Sequence, residues 1–173
     1  MGRRKILETV AEAWQPARID NKKELTIIDA IEQVVVLAKE SAFCPAFYRA
    51  AKRPLEYLAE RLSLSVEQVA LFAIFVNFSN ESRISLGVIT EFVGCTQIEI
   101  LRRAADMEEL KKRRFIRRNG NKRGEIYYVT PAALKAVKEN SSFDAPQISG
   151  LTIYQFFEVL GQYINERKDE ECD

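Results

Sequence analysis

The chain has 173 residues, enough for one sizeable domain or two small ones. Of these residues 47% are apolar and 29% are charged, which is the composition of a globular protein. Histidine is absent, and the three cysteines are far apart and form neither a disulfide framework nor a metal-ligand pattern. This composition excludes histidine-dependent catalytic triads and histidine metal sites, and it predicts a protein of the reducing cytoplasm.

Charge is distributed unevenly, although the formal net charge is only +1. Residues 81–140 contain 13 basic and 8 acidic side chains, whereas the rest of the chain contains 13 basic and 17 acidic ones. We therefore expect the segment 81–140 to face a polyanion. The longest apolar run, residues 69–76, is much shorter than the roughly 20 residues that cross a bilayer, so no membrane contact is expected.

The first 62 residues are predicted to be helical. Their apolar periodicity and their prolines indicate helices over residues 5–14, 22–42, 46–52 and 54–62, with Pro54 as the first residue of the last one. Ser65 and Gln68 then form a capping box that opens a helix to about Phe78. Because this helix is apolar nearly all round, it is predicted to be the central helix of the domain.

A helix-turn-helix pattern follows. A helix over residues 85–93 stops at Gly94, and a second capping box, formed by Thr96 and Glu99, opens a helix expected to run unbroken to about Lys112. One side of that second helix is apolar and is predicted to be buried: Ile98, Ile100, Leu101, Ala104, Ala105 and Met107. The opposite side is predicted to face outward: Glu99, Arg102, Arg103, Asp106 and Glu109.

A β-hairpin is predicted next, with strands over residues 114–118 and 125–129 and a turn over residues 119–124 that begins with Asn119 and Gly120. Arg83 and Ile84 are candidates for a short strand beside it. Helix, turn, helix and two-stranded wing is the order of a winged helix-turn-helix. After a helix over residues 131–140, the chain is expected to continue as a linker, residues 141–150, and a helix over residues 152–164.

The predicted fold is therefore mainly α with a small β-hairpin wing. Its parts are a helical N-terminal part (1–62), a winged-helix domain (63–140), and a linker with a C-terminal helix (141–173). Eight of the thirteen residues in 111–123 are basic and none is acidic. A basic hairpin beside a helix is suited to binding phosphates or a minor groove, and the alternative is a hairpin whose charges are only solvated.

The candidate nucleic-acid contacts are of two kinds. We define the wing cluster, which is expected to bind phosphates, as Arg117, Arg118, Lys122 and Arg123. Gln97 and Arg103, on the second helix, are candidates for base edges. Since Glu99 and Asp106 are expected to face the same polyanion, the wing is predicted to supply most of the affinity.

No catalytic site, cofactor or metal is expected. The seven glycines form no phosphate-binding loop, and no set of residues resembles a catalytic constellation. Cys95 lies near a helix N-terminus that would lower its pKa, but a small buried hydrophobe is the preferred interpretation.

Two resemblances extend these predictions. The stretches L-R-R-A-A-D-M-E-E-L-K-K-R-R-F-I-R-R and R-G-E-I-Y-Y-V-T-P resemble bacterial winged-helix regulators of the multiple-antibiotic-resistance type, although Arg114 stands where that family commonly has Gly. Most of the chain also resembles the N-terminal region of AAA-family ATPases of Bacteroides type. The resemblance covers a helical leader, the stretch L-S-L-S-V-E-Q-V-A-L-F-A-I-F-V-N-F-S-N, the winged helix and an acidic tail.

The second resemblance implies a non-catalytic module, binding duplex DNA or a protein partner, attached to an ATPase domain encoded after Asp173. The alternatives are a stand-alone, dimeric DNA-binding transcription regulator and a protein-interaction scaffold.

Overall fold

The computed structural model describes residues 25–81, 84–121 and 124–143. Its helices, in chain order, are α1 (Ile27–Ala38), α2 (Pro45–Ala50), α3 (Lys52–Leu62), α4 (Val66–Asn77), α5 (Leu86–Val93), α6 (Gln97–Leu101), α7 (Ala104–Lys112) and α8 (Pro131–Lys138). Strands β1 (Ile116–Asn121) and β2 (Gly124–Val129) form an antiparallel hairpin between α7 and α8. The predicted mainly α fold with a small hairpin is confirmed. The predicted helices 5–14 and 152–164, and the linker beyond residue 143, lie outside the described residues.

Helix α4 is the centre of the described fold, as predicted. Its capping box is formed: the Gln68 amide donates to Ser65 Oγ at 3.2 Å, and the Ser65 amide donates to Gln68 Oε1 at 3.1 Å. The seven consecutive residues 69–75 are all buried. All seven can be buried because α1, α3, α7 and β2 pack around this helix.

One hydrophobic core joins the N-terminal helices to the hairpin, since buried residues from Ile27 to Phe143 belong to a single cluster. The Phe115 ring, just before β1, lies edge-on to Phe72 of α4 at 5.0 Å and to Phe143 at 4.5 Å between centroids. Such aromatic pairs stabilise the fold beyond the area they bury.

The N-terminal helices differ from the prediction at their ends. Helix α1 begins after Thr26, whose Oγ1 accepts from the Asp29 amide at 3.2 Å, and it ends at Ala38 instead of residue 42. Helix α3 begins at Lys52, so Pro54 is its third residue and not its first. Pro54 is still tolerated, because amides in the first helical turn have no intrahelical acceptor.

The second helix of the helix-turn-helix is interrupted, so the prediction of one helix from Thr96 to Lys112 is wrong. Helix α6 ends at Leu101, Arg102 and Arg103 form a turn, and α7 begins at Ala104. The Arg103 amide bonds to the Ile100 carbonyl at 2.9 Å, a tightened three-residue turn. The preceding turn agrees with the prediction, since Gly94 ends α5 with φ +76.

The strand and turn bounds of the hairpin also differ from the prediction. Strand pairing runs from Ile116 opposite Val129 to Asn121 opposite Gly124. Asn119 and Gly120 therefore lie inside β1, and the predicted Asn-Gly turn is wrong. The connection, residues 122–123, lies outside the described residues. Ile84 forms an isolated antiparallel bridge with Tyr127, as predicted for a short strand beside the wing.

Candidate nucleic-acid interface

The two faces of the hairpin carry different side chains. Since residues directly opposite in an antiparallel pair lie on the same face, Arg118 shares one face with Tyr127, and Arg117 shares the other with Tyr128. Tyr127 is buried, whereas Arg117 is exposed and Tyr128 is 36% exposed. The face with Tyr127 therefore packs on the body of the domain, and the face with Arg117 and Tyr128 is available to a partner.

Arg118, on the packed face, is engaged by two carboxylates. Its Nη1 lies 3.0 Å from Glu125 Oε1 and 3.7 Å from Glu108 Oε1. The Tyr127 hydroxyl donates to the other Glu125 oxygen at 2.8 Å. Burial, and then the bond to Glu125, raise the pKa of Tyr127 to about 12. Arg118 therefore has less free charge to offer a phosphate than its sequence position suggests.

Arg117 is better placed than Arg118 to bind a phosphate. It makes no ion pair within the described ranges, and no acidic residue lies on its own strand. The exposed ring of Tyr128 lies directly across the pair from it. An unpaired guanidinium next to an aromatic ring is suited to a phosphate with an adjacent base or sugar.

Arg103 is not positioned as predicted. Its guanidinium lies over the Phe43 ring at 4.7 Å from the centroid, and 5.8 Å from that of Tyr48. The side chain is half-buried against the loop before α2. Arg103 therefore stabilises the attachment of the helix-turn-helix to the N-terminal helices by cation–π contact, and it does not project from the domain.

The other predicted site residues divide into two groups. Gln97, the first residue of α6, is exposed and free to contact a partner. Lys122 and Arg123 lie outside the described residues. Among the six predicted residues, the structure places Arg117 and Arg118 on opposite faces of one strand, and it places Arg103 in a separate aromatic contact.

Part of the exposed surface of α6 and α7 is apolar, which corrects the predicted orientation. Ile98 is 61% and Leu101 51% exposed, and Ala104 and Ala105 are exposed beside them. We call these four residues the exposed apolar face. Glu99 and Asp106, predicted to face outward, are half-buried.

Glu99 is half-buried, and its carboxylate is engaged in the capping box. Its Oε2 accepts from the Thr96 amide at 2.7 Å and from Thr96 Oγ1 at 3.0 Å. The three carboxylates predicted to face outward, those of Glu99, Asp106 and Glu109, therefore belong to half-buried residues. Ile100 and Met107 are buried as predicted, and the sequence signal that was missed is Leu110, which is buried with them.

Cys95 is a neutral thiol. Burial, followed by the nearby Glu99 carboxylate, raises its pKa to about 11. The alternative of a reactive, low-pKa cysteine is therefore wrong, and the interpretation as a small hydrophobe agrees with its half-buried position.

No protein family matches the chain, and no curated protein or solved structure is significantly similar to it. Within the described residues, no group of three or more Cys, Asp or Glu side chains is arranged to hold a metal ion. No helix in that part of the chain is long and apolar enough to span a membrane.

Proposed function

We propose that the protein is a non-catalytic winged-helix module whose hairpin binds the phosphate backbone of duplex nucleic acid. The observation that carries the proposal is the exposed, unpaired Arg117 on the outer face of a hairpin, within a 13-residue segment that contains eight basic and no acidic side chains. Such a surface binds through charge, with little dependence on base sequence.

The geometry supports weak sequence specificity. Specific reading of the major groove requires arginine, amide or similar donors aimed at base edges. Arg103 is held over Phe43, and apolar side chains occupy half of the exposed positions between residues 97 and 112, which leaves Gln97, Arg102 and Lys112 as the exposed donors there. We therefore propose backbone binding by the wing as the main source of affinity.

The test is fluorescence anisotropy with several unrelated duplexes across a salt series. The slope of log K against log salt should be about −3 to −4 if the whole wing cluster engages, since each phosphate contact contributes about −0.9. Changing the whole cluster to Glu should abolish binding. Arg117→Gln should reduce the magnitude of this slope by about one unit. Arg118→Gln should reduce it by less, because Glu125 and Glu108 already engage Arg118.

The matched control is Lys52→Glu, a charge reversal at an exposed position of α3, outside the hairpin. It should leave the slope unchanged. If the fourfold reversal leaves affinity unchanged, or if no duplex binds at low salt, the wing is only a solvated surface and the proposal is wrong.

A protein-binding module is the second candidate, and the exposed apolar face favours it. Ile98 and Leu101 are large hydrophobic side chains that are more than half exposed on α6. Failure of all duplexes to bind, together with loss of a protein complex in Ile98→Ser with Leu101→Ser, would support this candidate.

The proposal of an attached AAA-type ATPase rests on the sequence resemblance alone. Its test is the reading frame of the gene: a segment after Asp173 encoding G-x-x-x-x-G-K-[ST] supports it, and a stop codon at that point favours a stand-alone regulator. We propose a cytoplasmic location, since Cys44 and Cys95 are both free thiols.

A further inference from the structure

The strand pairing places four side chains together on the outer side of the hairpin. Arg117 is directly opposite Tyr128, and Asn119 is directly opposite Ile126. Residues opposite in an antiparallel pair share a face, and so do alternate residues along one strand. We call these four residues the outer face. Opposite side chains lie about 5 Å apart and alternate ones about 7 Å apart, so the outer face is one compact patch.

Three of these side chains are available to a partner. Arg117 and Asn119 are exposed, Tyr128 is 36% exposed, and Ile126 is half-buried beside them. Within residues 25–81, 84–121 and 124–143, the side chains of Arg117, Asn119 and Tyr128 make no hydrogen bond or ion pair, and the Tyr128 ring makes no aromatic or cation–π contact. The fold described there is therefore complete without them.

The neighbouring tyrosine has the opposite environment. Tyr127 is buried, its ring centroid lies 5.6 Å from that of Phe75, and its hydroxyl donates to Glu125 at 2.8 Å. Core packing and a hydrogen bond therefore account for Tyr127, and neither accounts for Tyr128.

The charge of the outer face is positive. Glu125 is the only acidic residue in the sequences of β1 and β2, and it lies on the packed face, where it engages Arg118. No carboxylate of the two strands therefore competes for the Arg117 guanidinium, which can bind a phosphate through charge-assisted hydrogen bonds.

The base of the hairpin fixes the orientation of the outer face. Ile116 and Val129, which form the first pair of the ladder, are both buried. The Thr130 amide donates to the Phe115 carbonyl at 3.0 Å just outside that pair. The backbone next to this anchored end is therefore ordered in the free protein, which lowers the entropy cost of binding.

An aromatic ring beside an unpaired guanidinium fits a nucleotide whose base is unpaired. In a duplex the bases present only their edges in the grooves, so Tyr128 meets no free base face there. In a single strand, a base stacks on an aromatic side chain while the backbone follows positive charge. The Asn119 amide, about 7 Å from Arg117 along β1, has donors and an acceptor for a base edge.

We propose that the outer face binds single-stranded nucleic acid, with a base stacked on Tyr128 and a phosphate on Arg117. This inference rests on the proposed function, because it assigns the preferred substrate of the same hairpin. The charge of the wing attracts a duplex and a single strand alike, and stacking adds affinity for the single strand alone. Binding tolerates any base sequence, since every base has an aromatic face.

The experiment measures the fluorescence anisotropy of three labelled ligands titrated with the full chain. They are an oligothymidine strand, an abasic strand of the same length and charge, and a duplex of that length. The thymidine strand should bind about 10-fold more tightly than the abasic strand, which is the effect expected from stacking of one base. Charge alone cannot produce this difference, because the two strands carry the same phosphates.

Variants of the outer face complete the test. Tyr128→Leu should abolish the preference for the thymidine strand and leave the affinities for the abasic strand and the duplex unchanged. Tyr128→Phe, the matched control, keeps the ring and should keep the preference. Arg117→Gln should weaken the binding of all three ligands.

The inference is overturned if the thymidine and abasic strands bind equally well, or if Tyr128→Leu keeps the preference. Duplex binding that is lost on reversal of the wing cluster would in that case leave the proposed function standing. If none of the three ligands binds at low salt, the inference and the proposed function are both wrong.

Discussion

At the residue scale, the environment of a side chain decides its chemistry more than its type does. Arg117 and Arg118 are both exposed, yet Arg117 is unpaired within the described residues, whereas Arg118 lies against Glu125 and Glu108. Arg103, which sequence assigns to a recognition surface, is a packing residue over Phe43. Functional assignment from residue type alone therefore overstates the number of cations available to a polyanion.

Cys95 gives a test at this scale. Because burial and Glu99 raise its pKa to about 11 from an ordinary value of 9.0, its alkylation by iodoacetamide should become rapid only as the pH approaches 11. Near pH 8 this corresponds to about 100-fold less thiolate than an unperturbed cysteine would have. Peptide mass spectrometry across pH 7–11 measures the rate for this cysteine by itself.

The control is the same pH titration in concentrated guanidinium, where the pH midpoint of the Cys95 alkylation rate should fall to about 9. Glu99→Gln should move the folded midpoint part of the way down, because it removes the carboxylate and keeps an acceptor for Thr96. A folded-state midpoint near 9 would contradict the environment described for Cys95.

At the scale of elements, the tight turn between α5 and α6 positions the helix-turn-helix. Gly94 has φ +76, and a Cβ added there would lie 3.2 Å from Glu40 Cα. A glycine is therefore required at this position for two reasons: its backbone has a positive φ, and the loop after α1 approaches it closely.

Gly94→Ala should accordingly lower the free energy of unfolding by about 1–3 kcal/mol. Gly120→Ala is the matched control, since that glycine has nothing within 4 Å of an added Cβ, and it should change stability by less than about 0.5 kcal/mol. Urea unfolding followed by circular dichroism measures both. Equal effects of the two substitutions would show that the turn tolerates a side chain.

At the scale of the whole molecule, the N-terminal helices and the winged helix share α4. Ile27, Val34, Leu55 and Leu58 are fully buried in the same cluster as Phe72 and Phe75. Helices α1 and α3 both pack on α4, so two of its sides depend on residues before position 63.

A fragment of residues 63–140 should therefore fail to fold, because it exposes apolar sides of α4 that contribute about 25 cal/mol for each Å² buried. Residues 25–143 serve as the matched control and should unfold cooperatively. Thermal melts by circular dichroism distinguish the two. A cooperative melt of the 63–140 fragment at a similar temperature would instead establish the winged helix as an autonomous domain.

The sequence by itself determined the features whose signals are local. Ser65 with Gln68 and Thr96 with Glu99 start α4 and α6, since each cap is formed within four residues of chain. The unbroken apolar run of α4 predicted a helix surrounded by others, and Gly94 predicted the end of α5. The mainly helical fold with a basic hairpin followed from these signals.

The tertiary structure decided everything that depends on residues distant in sequence. The break at Arg102 and Arg103 accompanies a contact with Phe43, about 60 residues earlier, which no local pattern encodes. The outward position of Ile98 and Leu101 accompanies the burial of Ile100, Met107 and Leu110, so only two of the six residues predicted to be buried on the second helix, Ile100 and Met107, are buried. Side-chain exposure is set by long-range packing, and local preference selects only the elements that pack.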